Sequence, residues 1–166
     1  MVIRDAVEAD LSAIVALYNS TIPTRIVTAD IEPVSVESRL VWFHAHTATE
    51  RPLWVMEIDG TIAGWLGFQS FYGRPAYRET VELSLYVASE FRRRGVGRRL
   101  LARAIAFSPS LQITTLLGFI FADNRPSIQL FQQYGFEPWG LLPGVAKFKE
   151  TGEQDLVIVG RKVALE

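Results

Sequence analysis

The sequence contains no cysteine. This absence excludes disulfide bonds, thiolate metal ligands and a cysteine nucleophile, and it is compatible with a reducing cytoplasm, where we expect the protein to reside. No stretch approaches the roughly 20 consecutive apolar residues that a transmembrane helix needs. The chain also begins with a charged segment at Arg4 and Asp5 where a signal peptide would be apolar. We therefore expect no membrane partner.

Histidine and excess charge are also scarce. The two histidines, His44 and His46, lie two positions apart on a predicted helix, so they would face different directions and form a poor metal pair. We interpret both as surface or partly packed residues and expect no metal site. With 17 basic and 18 acidic residues, the chain carries a net charge of −1. Such a balance gives no support for nucleic-acid binding.

The chain has 166 residues, of which 49% are apolar, enough for the core of one domain. Hydrophobic periodicity predicts strands at 2–4, 53–58, 61–71, 81–87, 113–121, 136–139 and 156–161, and helices at 10–19, 35–46, 95–107 and 127–134. Loops are predicted at 21–33, which could line a site, and at 144–152. This order predicts a mixed sheet with helices on its faces, in which the strand at 113–121 is central because it is apolar on both faces.

One stretch combines arginine and glycine where a predicted strand leads into a predicted helix. Gly95 and Gly97 would allow a close backbone approach to a ligand, and the first amides of a helix are unpaired and lie at the positive end of its dipole. Six of the 17 basic residues fall in this stretch: Arg92, Arg93, Arg94, Arg98, Arg99 and Arg103. The pattern is typical of a pyrophosphate site, although a solvated helix face can also be rich in arginine.

Several common motifs are absent. The Gly95-Val96-Gly97 sequence lacks the third glycine and the later acidic residue of a Rossmann fingerprint. No Gly-Lys-Ser/Thr follows it, which excludes a P-loop, and the chain has no Gly-x-Ser-x-Gly nucleophile elbow.

Two signatures that remain resemble the GNAT N-acetyltransferases. They read Arg92-x-x-Gly95-x-Gly97 and Asn124-x-x-Ser127-x-x-Leu130-Phe131-x-x-x-Gly135-Phe136. Residues 74–87 are similar to the phosphinothricin and methionine sulfoximine acetyltransferase group. The resemblance covers almost the whole chain. It implies a single GNAT domain over residues 1–166, with an α/β (α+β) fold: a mixed, mostly antiparallel sheet of about seven strands with helices on both faces.

The resemblance also implies acetyl-CoA as cosubstrate. The residues that would bind it are Leu85, Tyr86 and Val87 through their backbone, Arg92, Arg93, Arg94, Gly95, Val96, Gly97 and Arg98 around the pyrophosphate, and Asn124 and Ser127 along the cofactor arm. Asn124 could equally cap a helix. Two positions depart from the family: Arg93 stands where many relatives have glycine, and Phe131 where many have a tyrosine that protonates the leaving thiolate. A thiol with a reference pKa of about 8.5 can leave without that acid.

The same resemblance implies acetylation of the amino group of a small amino-acid-like acceptor, such as phosphinothricin, methionine sulfoximine or sulfone, or an L-amino acid. Glu82 is the candidate general base, with a surface glutamate as the alternative. Phe71, Arg74 and Tyr77 are candidate acceptor-binding residues, although Arg74 could be a solvated loop residue. Relatives suggest a homodimer. Two other functions stay open: a protein or peptide N-terminal acetyltransferase, and a non-catalytic acyl-CoA-binding domain.

Overall fold

A computed structural model describes residues 1–165 and contains one seven-stranded sheet. The strands are Val2–Asp5 (β1), Leu53–Ile58 (β2), Thr61–Ser70 (β3), Thr80–Val87 (β4), Thr115–Phe121 (β5), Glu137–Phe148 (β6) and Gly152–Lys162 (β7). Their order in the sheet is β1-β2-β3-β4-β5-β7-β6. Only β4 and β5 pair in parallel, while the other neighbours are antiparallel. The mixed, mostly antiparallel sheet that the sequence predicts is confirmed.

Four α-helices accompany the sheet: Leu11–Thr21 (α1), Leu40–His44 (α2), Val96–Phe107 (α3) and Arg125–Gln133 (α4). Short 3-10 turns at Glu8–Asp10, Ile22–Thr24, Glu37–Arg39, Pro75–Tyr77, Ser89–Phe91 and Ser108–Leu111 connect the elements. None of these helices is long and apolar enough to cross a membrane, as far as residues 1–165 are concerned.

Helices cover both faces of the sheet because side chains alternate along each strand. On one face, Leu66 and Leu83 pack in the cluster that contains Leu100 of α3. On the other face, Trp65 packs with Ile14 of α1 and with Trp42. The strand at the centre, β5, is buried on both sides along almost its whole length, as its continuous apolar sequence predicts.

Two predicted segments differ from the structure. The periodicity of residues 35–46 predicts a helix with Val36, Leu40 and Phe43 facing inward. The segment is α-helical only at Leu40–His44, preceded by a 3-10 turn, and Val36 is 38% exposed. The loop predicted over 144–152 is mostly strand, because β6 and β7 form a long ribbon that pairs as far as Phe148↔Gly152. Register shifts between Leu142 and Ala146 interrupt this ribbon.

Candidate active site

The sheet opens where β4 and β5 meet. The two strands pair only at Thr80↔Thr115, Val81↔Leu116 and Glu82↔Leu117. Beyond Glu82, β4 continues to pair with β3, and β5 continues to pair with β7, but no further pair joins β4 to β5 in the described chain. The peptide groups of residues 83–87 on that edge therefore face a cleft, and backbone N–H and C=O groups there are available to a ligand.

The turn that leads from β4 into α3 borders this cleft and contains two left-handed residues. Gly95 has a φ of +81° and stands at the N-cap of α3, and a Cβ built there would meet nothing within 4 Å. Arg93 has a φ of +61°. Side chains disfavour that region, whereas glycine adopts it readily. Arg93 is one of the two positions where the chain departs from the GNAT pattern. Its backbone conformation favours the glycine that many relatives have there.

Gly97 has a different reason to be glycine. A Cβ at this position would lie 3.0 Å from Cδ2 of Leu130 in α4 and 3.6 Å from Cγ2 of Val87. Its small size therefore lets α3 approach α4 and the end of β4 closely. This packing contributes to the position of the first turn of α3 beside the cleft.

Positive charge concentrates around the same turn. Arg92, Arg93, Arg94, Arg98 and Arg99 are exposed, and none of them forms an ion pair with a carboxylate within residues 1–165. Arg103, which the sequence places in the same cluster, instead stacks its guanidinium 4.8 Å from the Trp54 ring. Five unneutralised guanidinium groups next to unpaired helix amides form a surface suited to phosphate oxygens.

Asn124 lies between β5 and α4, on the opposite side of the cleft. Its Oδ1 accepts a hydrogen bond from the amide of Ser127 at 3.4 Å, so it caps α4. The amide nitrogen of the Asn124 side chain can still donate to a ligand. The helix-cap interpretation of Asn124 is therefore correct, and it does not prevent a second contact.

A cavity of about 190 Å³ lies on the α1 side of the sheet. Its lining residues are Ile14, Val15, Tyr18, Val34, Arg39, Trp42, Trp65, Gln69, Ser84 and Tyr86. The strand register explains the space, because the small pair Gly67↔Ser84 lies between the larger pairs Gln69↔Glu82 and Trp65↔Tyr86. The floor of the cavity is therefore β3 and β4, and α1 and the 34–42 segment enclose it.

Glu82 lies on the same face of β4 as Ser84 and Tyr86, next to the cavity but not among the residues that line it. Burial raises the pKa of the Glu82 carboxyl above its ordinary value, and no ion pair with Glu82 is found in residues 1–165. A carboxylate in that state is a stronger base than an exposed one. Glu82 is also the last residue of β4 that pairs with β5, so it stands where the cleft begins.

Tyr86 occupies one end of the floor. Its ring stacks on Trp65 at a centroid distance of 4.5 Å and an interplanar angle of 16°. Burial raises the pKa of the Tyr86 hydroxyl strongly, and the charge of Arg39 opposes part of that rise. Tyr86 therefore remains protonated at neutral pH. Its side chain faces the cavity, so any contact with the cleft comes from its backbone.

Comparison with known proteins identifies the family of the chain. Residues 14–136 match the acetyltransferase (GNAT) family. The chain belongs to that family. A Bacillus subtilis protein with the provisional name phosphinothricin acetyltransferase is 48% identical over 165 residues, which cover 99% of this chain and 100% of that protein. An L-methionine sulfoximine/L-methionine sulfone acetyltransferase of Salmonella typhimurium is 30% identical over 145 residues, which cover 87% of this chain and 85% of that protein.

Solved structures match the whole GNAT domain. A GNAT superfamily phosphinothricin acetyltransferase from Sinorhizobium meliloti, in complex with AcCoA, superimposes with a TM-score of 0.91 at 29% identity, covering 98% of this chain and 88% of that one. The predicted fold class and family are therefore confirmed.

Phe131 is buried in this GNAT domain. Only 3% of it is exposed, and its ring packs edge-on against Phe136 at 4.8 Å and over Gly118 of β5. Phenylalanine has no proton to donate, so this helix supplies no general acid at position 131.

The three acceptor-binding residues predicted from sequence lie outside the cavity lining. Phe71, Arg74 and Tyr77 belong to the connection between β3 and β4, at the end of the sheet nearest Glu82. Phe71 and Tyr77 contact each other at 5.2 Å, and Arg74 is exposed. They are therefore placed at the rim, and their role in binding stays a prediction.

Sequence reasoning missed the residues that enclose the cavity. The Tyr18 hydroxyl bonds to Thr28 and Asp30, and Asp30 pairs with Arg39 at 3.2 Å. Asn19 exchanges two hydrogen bonds of 2.9 Å with the backbone of Val34. These contacts hold the irregular 25–39 segment against α1. The β-branched, proline-interrupted sequence indicated only that a loop here could line a site.

Neither His44 nor His46 is among the residues that line the cavity. His46 is largely buried, its Nδ1 is 2.8 Å from the carbonyl oxygen of Trp42, and burial lowers its pKa. His44 is exposed. Within residues 1–165, no three His, Cys, Asp or Glu side chains form a cluster that could hold a metal ion.

Proposed function

We propose that the protein is an acetyl-CoA-dependent N-acetyltransferase that transfers the acetyl group directly to the amino group of a small amino-acid-like acceptor. Phosphinothricin, methionine sulfoximine, methionine sulfone and L-amino acids are the candidate acceptors. The observation that carries this proposal is the separation of β4 from β5 at Glu82. One strand thereby offers free peptide groups to a cleft along its edge and carries a buried, basic carboxylate on the face that also bears Ser84 and Tyr86 of the cavity lining.

The cleft suits coenzyme A in both shape and charge. The unpaired amides at the start of α3 and the exposed arginines would bind the pyrophosphate and the further phosphate charge, using residues 92–98. The backbone of Leu85, Tyr86 and Val87 would hold the pantetheine arm, with Asn124 and Ser127 on the facing side. Such an arrangement brings the thioester to the end of the cleft, next to Glu82.

The reaction follows from that position. An alkylammonium group is mostly charged at neutral pH, so Glu82 removes a proton, directly or through a water, and the free amine attacks the thioester carbon. Backbone amides of residues 85–87 stabilise the tetrahedral oxyanion. When the intermediate collapses, the C–S bond breaks and coenzyme A leaves as a thiolate. The nitrogen releases its second proton to water, and the acetyl group stays on it as a neutral amide. The reference pKa of a thiol, about 8.5, makes an acid at Phe131 unnecessary.

At the rim, Phe71, Arg74 and Tyr77 would form the outer wall through which the acceptor enters. Arginine binds a carboxylate through two parallel hydrogen bonds, so Arg74 is suited to the α-carboxylate, which is separated from the amine by a single carbon. This assignment keeps the amino group at Glu82.

The protein is also proposed to be a cytoplasmic homodimer. The edge strand β6 exposes a row of large apolar side chains: Trp139 at 44%, Leu141 at 57%, Leu142 at 40% and Val145 at 56%. An exposed apolar edge of this kind is a natural surface for a second copy. Light scattering of wild-type protein and of Leu141→Glu tests it: a dimer that the substitution converts to monomer supports the proposal, and a monomeric wild type contradicts it.

A panel of amines tests the enzymatic proposal. Release of free thiol from acetyl-CoA is measured with amino acids, their sulfone and sulfoximine derivatives, phosphinothricin and short peptides. The protein has no cysteine, so it contributes no thiol background. We expect release with the amino-acid-like acceptors. Release with peptides alone would indicate an N-terminal acetyltransferase, and calorimetric binding of acetyl-CoA without release under any condition would indicate a non-catalytic domain.

A further inference from the structure

The cavity beyond Glu82 contains one charged lining residue. Of the ten residues that line it, only Arg39 carries a charge, and none is a carboxylate. The other polar groups are the hydroxyls of Tyr18, Ser84 and Tyr86 and the amide of Gln69. Such a lining offers a cation and neutral hydrogen-bonding groups, and it is therefore complementary to a ligand group rich in oxygen acceptors.

Contacts on several sides hold the Arg39 guanidinium in place and leave some of its hydrogen-bond donors unused. Its Cζ lies 4.9 Å from the centroid of the Tyr18 ring and 6.0 Å from that of Trp42. One of its nitrogens donates to Asp30 at 3.2 Å, and this is the one hydrogen bond of its side chain found in residues 1–165. A guanidinium has five N–H donors in a fork geometry that matches planar or tetrahedral oxyanions. A second oxygen-bearing group can therefore bind beside Asp30.

The position of Arg39 decides which part of an acceptor it can reach. Glu82 and Tyr86 are four residues apart on one strand, about 13 Å at the usual rise. Arg39 lies over Tyr18, whose ring is 5.3 Å from that of Tyr86, so it stands toward the Tyr86 end of the cavity. With the amine at Glu82, the α-carboxylate stays close to Glu82. The far end of the acceptor side chain is the part that extends toward Arg39.

We propose that Arg39 binds the oxygen-bearing group at the far end of the acceptor side chain, and that it selects phosphinate or similar oxygen-rich groups over a plain thioether. The inference rests on the proposed function, because that function places the amine at Glu82. It deepens that function by dividing acceptor recognition between two arginines: Arg74 at the rim for the α-carboxylate, and Arg39 inside the cavity for the side chain.

The test compares phosphinothricin with L-methionine, which share the amine and the α-carboxylate but differ at the far end. For Arg39→Gln, we expect kcat/KM for phosphinothricin to fall roughly tenfold to hundredfold, the usual effect of losing a hydrogen bond to a charged group. The value for L-methionine and the KM for acetyl-CoA should hardly change. An equal loss with both acceptors would overturn the inference, as would an unchanged preference.

Asp30→Asn is the matched control for a merely structural role. It breaks the same ion pair but keeps the cation, so it should preserve the preference for phosphinothricin. If Asp30→Asn abolished the preference as Arg39→Gln does, the ion pair and not the guanidinium would be responsible, and the inference would fail. Arg39→Lys should recover part of the preference, since it restores the charge without the fork.

Binding gives a measurement that does not depend on turnover. Calorimetric titration of the wild type with phosphinothricin, in the presence of coenzyme A, should show heat that Arg39→Gln loses and Asp30→Asn retains. If the wild type bound phosphinothricin through Arg39 but acetylated no amine, the proposed function would be wrong while the role of Arg39 stood. Heat that is the same for wild type and Arg39→Gln would refute that role even in an active enzyme.

Discussion

Replacing Glu82 by glutamine tests the proposed chemistry most directly. Glutamine has nearly the same shape and keeps a hydrogen-bonding side chain, but it cannot accept the proton of the ammonium group. The environment of Glu82 gives it a pKa raised by burial from the ordinary value of 4.5. Once ionised, it is therefore a stronger base than an exposed glutamate.

The size of the effect follows from the role of a general base. Proton removal by a positioned side chain contributes roughly 10²- to 10⁴-fold, so kcat of Glu82→Gln should fall by that factor at neutral pH. The loss should shrink at alkaline pH, where the acceptor amine loses its proton to solvent. In the wild type, kcat/KM should fall as the pH drops through the raised pKa of Glu82, because the protonated carboxyl cannot act as a base.

Thiol release from acetyl-CoA, followed from mildly acidic to alkaline pH, measures both effects. Glu137→Gln is the control, since Glu137 is an exposed residue of β6 and should leave the profile unchanged. Acetyl-CoA affinity, measured by calorimetry, should be the same in wild type and Glu82→Gln because the carboxylate does not bind the cofactor. Full turnover of Glu82→Gln across the pH range would remove Glu82 from the mechanism.

Three further predictions concern stability and acceptor binding. The raised pKa of Glu82 means that its charged form destabilises the fold above that pKa, so Glu82→Gln should melt higher than wild type at neutral pH. Calorimetry should show this gap narrowing as the pH falls through the raised pKa and absent below about 4, where the carboxyl is protonated in the folded and the unfolded protein. In denaturant titrations, the free energy of unfolding of Arg93→Gly should be about 1–2 kcal/mol higher than that of Arg92→Gly. The reason is that the backbone of Arg93 is left-handed and that of Arg92 is not. If Arg74 binds the acceptor carboxylate, steady-state kinetics of Arg74→Ala should show a larger rise in KM for amino acids than for acetyl-CoA; equal rises would refute that contact.

Local signals in the sequence predict much of the sheet and its cofactor edge. The apolar run at Leu53–Ile58 forms a strand, as its sequence predicts. The Asp-Gly pair after it, a typical hairpin signal, forms the turn, and Asp59 and Gly60 both have a positive φ. Helix α3 follows its apolar face, with Val96, Leu100, Leu101 and Ala104 buried. The cofactor side is predictable because one contiguous strand-turn-helix segment forms most of it.

The β6–β7 ribbon and the short α2 show where local signals fail. Much of β6 is exposed, so burial does not impose an alternating apolar pattern on it, and its glycines resemble those of a loop. Around α2, Trp42 and Phe43 pack against the core, and Trp42 meets Trp65 edge-on at 5.5 Å. A tertiary contact therefore sets the orientation of this segment, whereas its own periodicity predicts that Val36 faces inward.

The acceptor cavity could not be predicted because it has no contiguous motif. Its walls come from α1, from the irregular segment before α2 and from two adjacent strands. Arg39 becomes significant only once Tyr18 and Asp30 hold it beside the cavity. In the sequence it is one basic residue of a predicted helix.

Strand β4 serves both halves of the site, and a substitution that moves it should impair both. A Cβ at Gly64 would lie 2.8 Å from the carbonyl oxygen of Tyr86 and 2.8 Å from Cγ1 of Val96. Gly64 belongs to β3, so Gly64→Ala must push β4 and the start of α3 away from β3, at an overpacking cost of about 1–3 kcal/mol. We expect weaker acetyl-CoA binding by calorimetry together with lower kcat, whereas Glu82→Gln should lower kcat alone.

The matched control for Gly64→Ala is Gly140→Ala in β6, where the added Cβ would meet its nearest atom at an ordinary 3.5 Å. This variant should keep both acetyl-CoA affinity and turnover. If Gly64→Ala were folded and lost turnover while binding acetyl-CoA as tightly as wild type, the cofactor would not depend on the backbone of β4. The cleft between β4 and β5 would then not be its site.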